Sequence, residues 1–206
     1  MRIIAGRFKS RVLLAPESDQ TTRPITDRVK QSLFDILTPL LDGVAVYDCF
    51  AGTGSMGLES LSRGASHATF FEADRSALGR LKKNIAALGV EGESTVVSLD
   101  IFRWFGGTAE ASVRPGVVFL DPPYRYLKER PEQLGKLGAG VARHLAPEGM
   151  VVFRHDAKDR LKLPGFEVAE EREYGGMVLE FLRVAGSKPA SVANEAAQGN
   201  GSAGTI

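Results

Sequence analysis

Two short segments of this 206-residue sequence combine residue types that can do chemistry. The first is Asp121-Pro122-Pro123-Tyr124. Consecutive prolines fix φ and deny helical geometry to the residue before each. The expected result is a rigid, extended bend. From it, Asp121 and the Pro122 carbonyl can both accept hydrogen bonds from one amino group. Tyr124 offers a flat face on which a base can stack, a contact worth roughly 1–3 kcal/mol. Methyl transfer to an exocyclic amine needs this set. The amine lone pair is delocalised into its ring. Acceptors on both N–H bonds favour pyramidalisation as the methyl arrives, and they hold the developing positive charge until a proton leaves. A structural Pro-Pro turn would carry the same residues, so the motif draws its force from its surroundings.

The second segment is Asp48-Cys49-Phe50-Ala51-Gly52-Thr53-Gly54-Ser55-Met56-Gly57. It holds a complete G-x-G-x-x-G between an expected strand and an expected helix, the context in which that motif is informative. Its glycines allow a sharp turn and close approach to a ligand. Phe50, Gly52, Thr53, Gly54 and Gly57 are therefore candidate cofactor contacts. Glu72, twenty residues after Gly52, ends the next strand, where a carboxylate can take both ribose hydroxyls. The glycines alone do not choose between a nicotinamide and S-adenosylmethionine. Asp48 would repel a pyrophosphate and would suit the amino group of a methionine moiety. Asp100, followed by Ile101 and Phe102, ends a third strand. Asp100 can accept from an adenine amino group, with Ile101 and Phe102 flanking the ring. It can also cap a helix, and the two roles are compatible.

These residues need a scaffold, and the hydrophobic pattern supplies one. Strands are expected at 44–49, 67–72, 94–99, 117–121 and 150–154, with helices at 55–62, 75–88 and 127–145 between them. The alternation implies a parallel sheet covered on both faces. Segments 166–173 and 177–184 leave no room for a helix and should pair antiparallel across Gly175-Gly176. Upstream, 2–6 and 11–15 read as a small hairpin around Arg7-Phe8-Lys9-Ser10. A loop at 16–25 follows, then a helix at 27–38 with Thr26 as N-cap. The expected organisation is a basic hairpin extension at 1–25, an α/β domain at 26–185 and a disordered tail at 186–206.

The remaining residues attract plainer readings. His67, His144 and His155 lack the mutual spacing of a metal site or a triad, so no metal is expected. Trp104 and Phe105 read as packing, Cys49 as a small buried residue, and Asn84 as an exposed helix position. One cysteine excludes an internal disulfide. No apolar run approaches the ~18 residues that cross a bilayer, and no signal-peptide core is visible. A cytoplasmic monomer without a membrane partner is the expectation. The net charge of +1 conceals an asymmetry: residues 1–30 sum to +4 and the remainder to −3. A basic arm beside an acidic body suits a polyanionic partner, although a solvated surface would look the same.

With these motifs placed, residues 2 to about 184 resemble the RsmD family of bacterial 16S rRNA (guanine-N2)-methyltransferases. The opening Arg2-Ile3-Ile4-Ala5-Gly6-Arg7-Phe8-Lys9-Ser10-Arg11-Val12-Leu13 looks like that family's first hairpin. Thr22-Arg23-Pro24-Ile25-Thr26-Asp27-Arg28-Val29-Lys30 looks like its signature, with Ile25 for a usual threonine and Lys30 for a usual arginine. The cofactor loop and Leu61-Ser62-Arg63-Gly64 are also similar, whereas the Asp-Pro-Pro-Tyr motif is shared more widely. The resemblance implies a Rossmann-like class I fold: a seven-stranded, mostly parallel sheet with an antiparallel C-terminal hairpin. It implies S-adenosylmethionine as cofactor and methylation of a guanine N2 amine in 16S rRNA of the small ribosomal subunit or its assembly intermediate. It also gives Arg2, Arg7, Lys9, Arg11, Arg23 and Arg28 a role in gripping RNA phosphates. Alternatives remain. The same chemistry serves adenine N6 in DNA or RNA. Glutamine methylation usually has Asn where Asp121 stands, and a non-catalytic RNA-binding factor would not need Asp48, Glu72 and Asp121.

Overall fold

The structure, a computed structural model, describes residues 1–15, 25–107 and 113–187. Five strands run parallel: β1 (Ala45–Cys49), β2 (His67–Phe71), β3 (Ser94–Val97), β4 (Val117–Leu120) and β5 (Met150–Asp156). β6 (Phe166–Tyr174) and β7 (Met177–Val184) form the terminal hairpin, and β7 pairs antiparallel with β5. The spatial order of the seven strands is β3-β2-β1-β4-β5-β7-β6. The chain thus reverses direction across the sheet between β1 and β4. That switch point opens a crevice at the carboxyl ends of the strands, which is where open α/β sheets bind ligands.

The helices are α1 (Asp27–Leu37), α2 (Ser55–Ser62), α3 (Arg75–Leu88), α4 (Ile101–Gly106), α5 (Tyr126–Glu129) and α6 (Pro131–His144). Residues α1 to α3 contribute pack on one sheet face with Val46, Phe70, Val117, Phe119 and Val152. α4 to α6 cover the other face with Tyr47, Phe71, Val118, Leu120, Val151 and Phe153. Side chains alternate between faces along a strand. The strand ends therefore send Asp48, Asp121 and Arg154 toward the same face, in step with Val46, Phe119 and Val152. The register places Cys49 beside Leu120 and Leu120 beside Phe153, so these polar ends meet side by side.

Local chemistry explains the boundaries. Thr26 caps α1 as expected, its hydroxyl accepting from Val29 N at 3.3 Å. The expected single helix at 127–145 is two helices. Pro131 pushes Arg130 out of helical geometry, to φ −139°, so α5 ends and α6 begins with Pro131 in its first turn. The α6 glycines permit close packing: a Cβ at Gly140 would lie 2.9 Å from Phe105 Cβ. Asp100 takes the helix-capping role that was one of its two readings, starting α4 by accepting from Phe102 N at 2.8 Å.

In the N-terminal hairpin Arg2 bridges antiparallel to Val12, Ile3 N donates to Arg11 O at 2.9 Å and Leu13 N donates to Met1 O at 3.0 Å, and the hairpin folds onto the body. Ile3 and Leu13 enter the core, while side-chain and backbone hydrogen bonds fasten the arm to α2 and α3. The loop expected at 16–25 lies outside the described residues apart from Ile25, as does nearly all of the tail expected at 186–206.

Candidate active site

The β1–α2 turn is built from unusual backbone. Phe50 has φ +62°, Gly52 +56° and Gly54 +82°. Left-handed geometry at Phe50, a bulky residue, costs energy that the surrounding fold must offset. The three motif glycines serve different ends. A Cβ at Gly54 would lie 2.4 Å from Leu81 Cδ1, and one at Gly57 would lie 2.3 Å from Phe70 Cε1. Those two glycines let α2 sit close to α3 and the sheet. A Cβ at Gly52 would meet nothing within 4 Å. Gly52 therefore faces open space, as a ligand contact requires.

Two carboxylates flank this turn. Asp48 is 3% exposed and accepts from Gly57 N at 2.9 Å. Burial pushes its carboxyl up to about 8. The Gly57 bond opposes the rise, Asp121 and Glu72 add to it, and Lys30 opposes it. A buried acid in this condition favours a bound cation, which would restore its charge. Glu72 accepts from Gly52 N at 2.7 Å and from Asp74 N at 2.8 Å. It sits at the tip of β2 and holds the turn in shape.

The other expected cofactor residues divide into two groups. Phe50 and Phe102 meet edge to face, their centroids 6.0 Å apart. Tyr126 lies 6.1 Å from each, closing an aromatic trio at the crevice. Tyr126 escaped the sequence reading because it opens a helix; an aromatic two residues beyond Tyr124 was the available signal. Asp100 is exposed and acts as the α4 cap. Ile101, by contrast, is 5% exposed and packed in the core. Thr53 is buried, with its hydroxyl 3.5 Å from Met1 Sδ. Its side chain turns toward the N-terminal arm.

Asp121 follows β4, and its backbone N donates to Cys49 O at 3.4 Å, which places it beside the cofactor turn. Pro122 is buried, and Tyr124 is half-buried. Arg154, the last residue of the strand expected at 150–154, donates from Nε to Asp121 Oδ1 at 2.7 Å. Burial raises the Asp121 carboxyl from its ordinary value, and Arg154 opposes that rise. Trp104 and Phe105 pack with Tyr47 and Phe71 as expected, and Cys49 is fully buried. Asn84 is a correction: it is 2% exposed, and its amide binds Leu14 and Thr53.

Of the arm's cations, Arg2, Arg7, Lys9, Arg11 and Arg28 are exposed. Arg2 pairs with Asp27 at 2.7 Å, and Arg7 pairs with Glu93. Arg23 lies outside the described residues. No helix among the described residues is long and apolar enough to cross a membrane.

The strand order, the terminal hairpin and the crevice at the β1–β4 switch point define the Rossmann-like fold of class I S-adenosylmethionine-dependent methyltransferases. The solved yhhF structure from Escherichia coli superposes with a TM-score of 0.74 at 30% identity, covering 89% of this chain and 97% of that one. The family described as Conserved hypothetical protein 95 matches residues 1–183, and the chain belongs to it, the RsmD family. It is 35% identical to YlbH of Bacillus subtilis over 163 residues, 78% of this chain and 85% of that one. It is 41% identical to Ribosomal RNA small subunit methyltransferase D of Escherichia coli K12 over 125 residues. That match spans 61% of each chain, less than two thirds of the relative's length.

Proposed function

We propose that this protein transfers a methyl group from S-adenosylmethionine to the exocyclic N2 amine of a guanine in small-subunit rRNA. The carrying observation is the placement of Asp121, Pro122 and Tyr124 at the crevice, beside the turn that Asp48 and Glu72 flank. The name of the E. coli relative supports the RNA class. Family membership supports the choice of guanine over adenine.

The residues present fit S-adenosylmethionine. Asp48 is a buried acid whose raised pKa favours a cation, as the cofactor's amino group would be. Glu72 stands where ribose hydroxyls would lie, Gly52 leaves room, and Phe50 with Phe102 can flank an adenine. When bound, the cofactor supplies an electrophilic methyl on a sulfonium. The chain's own residues do the rest. Tyr124 stacks the guanine. Asp121 and the Pro122 carbonyl accept from its amine, turn the lone pair toward the crevice and hold positive charge until a proton leaves. Entry of the base requires it to leave its stack, as expected for RNA modified at a base edge. Arg2, Arg7, Lys9, Arg11, Arg23 and Arg28 contribute phosphate contacts from the arm and its neighbourhood.

The test uses purified protein, labelled S-adenosylmethionine and small-subunit particles from a strain lacking the enzyme. Nucleoside mass spectrometry should find N2-methylguanosine. Label in N6-methyladenosine would replace guanine with adenine as the substrate, and absence of label from particles and naked RNA alike would defeat the reading.

A further inference from the structure

Arg154 is 5% exposed and directly follows the apolar run Met150-Val151-Val152-Phe153 of β5. Its guanidinium reaches three residues on two elements, the turn after β4 and β7. Nε donates to Asp121 Oδ1 at 2.7 Å, after β4. Its Cζ lies 5.8 Å from the centre of the Tyr124 ring, inside the range of a cation–π contact. Nη1 reaches Met177 Sδ on β7 at 3.8 Å. One side chain thus touches both the amine acceptor and the stacking platform. A buried guanidinium is costly to desolvate, and its planar fork suits a carboxylate better than an ammonium does. We propose that Arg154 is a positioning residue of the methyl-transfer site, holding Asp121 as a carboxylate of fixed orientation and backing the Tyr124 ring. The proposal rests on Asp121 being the amine acceptor.

The protonation state of Asp121 is set by a balance of charges. A protonated Asp121 would present an O–H where the amine needs an acceptor. Burial favours that neutral form. Asp48 from β1 is the neighbouring buried acid, itself raised by the charges of Asp121 and of Glu72 beyond β2. Tyr124, from the same turn, carries no positive charge, and Lys30 from α1 acts on Asp48. Arg154 opposes the rise through both its charge and its hydrogen bond. Removing it should raise the pH at which Asp121 ionises by about 1–3 pH units, the usual effect of one close opposite charge.

Two readouts test this on the full chain. The first is acceptor-independent: carbon NMR titration of aspartate carboxyls in labelled wild type, Arg154→Met and Arg154→Lys, with Asp121 assigned by its loss in Asp121→Asn. The second is the pH dependence of methyl transfer to small-subunit particles. In Arg154→Met, the Asp121 titration and the acid limb of turnover should move up together. Turnover on the acid side should fall and recover at higher pH, where Asp121 is ionised in both proteins. Arg154→Lys keeps a cation without the fork. It should titrate near wild type with reduced turnover, and it serves as the folded comparison if the methionine variant fails to fold. An unmoved Asp121 titration in Arg154→Met, an upward move in Arg154→Lys as large as loss of the charge should give, or a uniform loss of activity at all pH values, would overturn the inference. Failure of wild type to methylate any acceptor would instead defeat the proposed function, with the NMR titration still deciding the role of Arg154.

Discussion

The carboxamide of Asn84 donates to the Thr53 carbonyl at 2.9 Å, and its oxygen accepts from Leu14 N at 2.8 Å. A weaker bond to Leu14 O at 3.3 Å completes a bridge-like pairing with the arm. One α3 side chain thus joins the N-terminal arm to the cofactor turn, immediately before Gly54. Lys30 makes a second link: Nζ donates to Arg2 O and Ser55 Oγ, each at 3.0 Å, and pairs with the buried Glu59 at 3.0 Å. The arm and the turn are consequently held through shared side chains.

Asn84→Ala should leave the buried Thr53 carbonyl, and the partly buried Leu14 N and O, short of a partner. The expected cost is about 1–3 kcal/mol, or a Tm lowered by about 2–4 °C per kcal/mol in a chain of this size. Affinity for S-adenosylhomocysteine should fall too, because Thr53 sits in the cofactor turn. Thermal denaturation and calorimetric titration check the two effects. Unchanged Tm and affinity would mean that the bridge is energetically idle.

Asp48→Asn should separate stability from binding. Asp48 titrates near its ordinary carboxylate value in the unfolded chain and near 8 in the folded one. Between those values the native state holds a proton that the unfolded state has lost. Stability therefore falls as pH rises through that window, and the loss is complete above about pH 8. The variant lacks this loss. It should be more stable than wild type by an amount on the order of a few kcal/mol at pH 8, with the gap closing toward pH 4. Its affinity for S-adenosylmethionine should drop, since a neutral amide replaces the partner of a cation. Denaturant midpoints at several pH values test the first claim, and calorimetry tests the second.

Legibility of the sequence followed burial. The strands and α2 and α3 were readable to within a residue or two because their apolar periods are clean. The Pro131 break was visible as a proline, but the glycines of α6 looked like weakness, whereas Gly140 is a site of close packing against Phe105. Asn84 was misread by residue type. Its position, with Leu81, Ile85 and Leu88, lies on the apolar stripe of α3, so periodicity already placed it inside. Arg154 was readable from parity: a charge two positions after Val152 must share the face of Asp121 two positions after Phe119. What parity cannot supply is strand order. Only the adjacency of β4 and β5 turns two charged strand ends into a pair.

Asp121→Ala should lower turnover by about 10²–10³, the usual loss when one preorganised group at a reacting centre is removed. S-adenosylhomocysteine affinity should stay within a few-fold of wild type, because Asp48, Glu72 and Gly52 remain. Single-turnover transfer with saturating cofactor isolates the chemical step. Retained turnover would remove Asp121 from the mechanism while leaving the fold assignment intact.

The arm's cations should differ in their contributions to RNA binding. Lys9 and Arg11 are exposed, and Arg11 donates to Ala87 O at 3.2 Å rather than to a carboxylate among the described residues. Arg2 and Arg7 already face Asp27 and Glu93, so binding a phosphate means loosening an ion pair. Each neutralised phosphate contributes about 0.7–0.9 to the slope of log affinity against log salt. The double variant Lys9→Gln, Arg11→Gln should therefore flatten that slope by about 1–2 and weaken binding most at low salt. Arg2→Gln with Arg7→Gln should do less. Glu93→Gln provides the converse test: it frees Arg7 and should strengthen binding and steepen the slope. Filter-binding titrations over a salt series measure all three, and equal slopes across them would dissociate the arm from RNA.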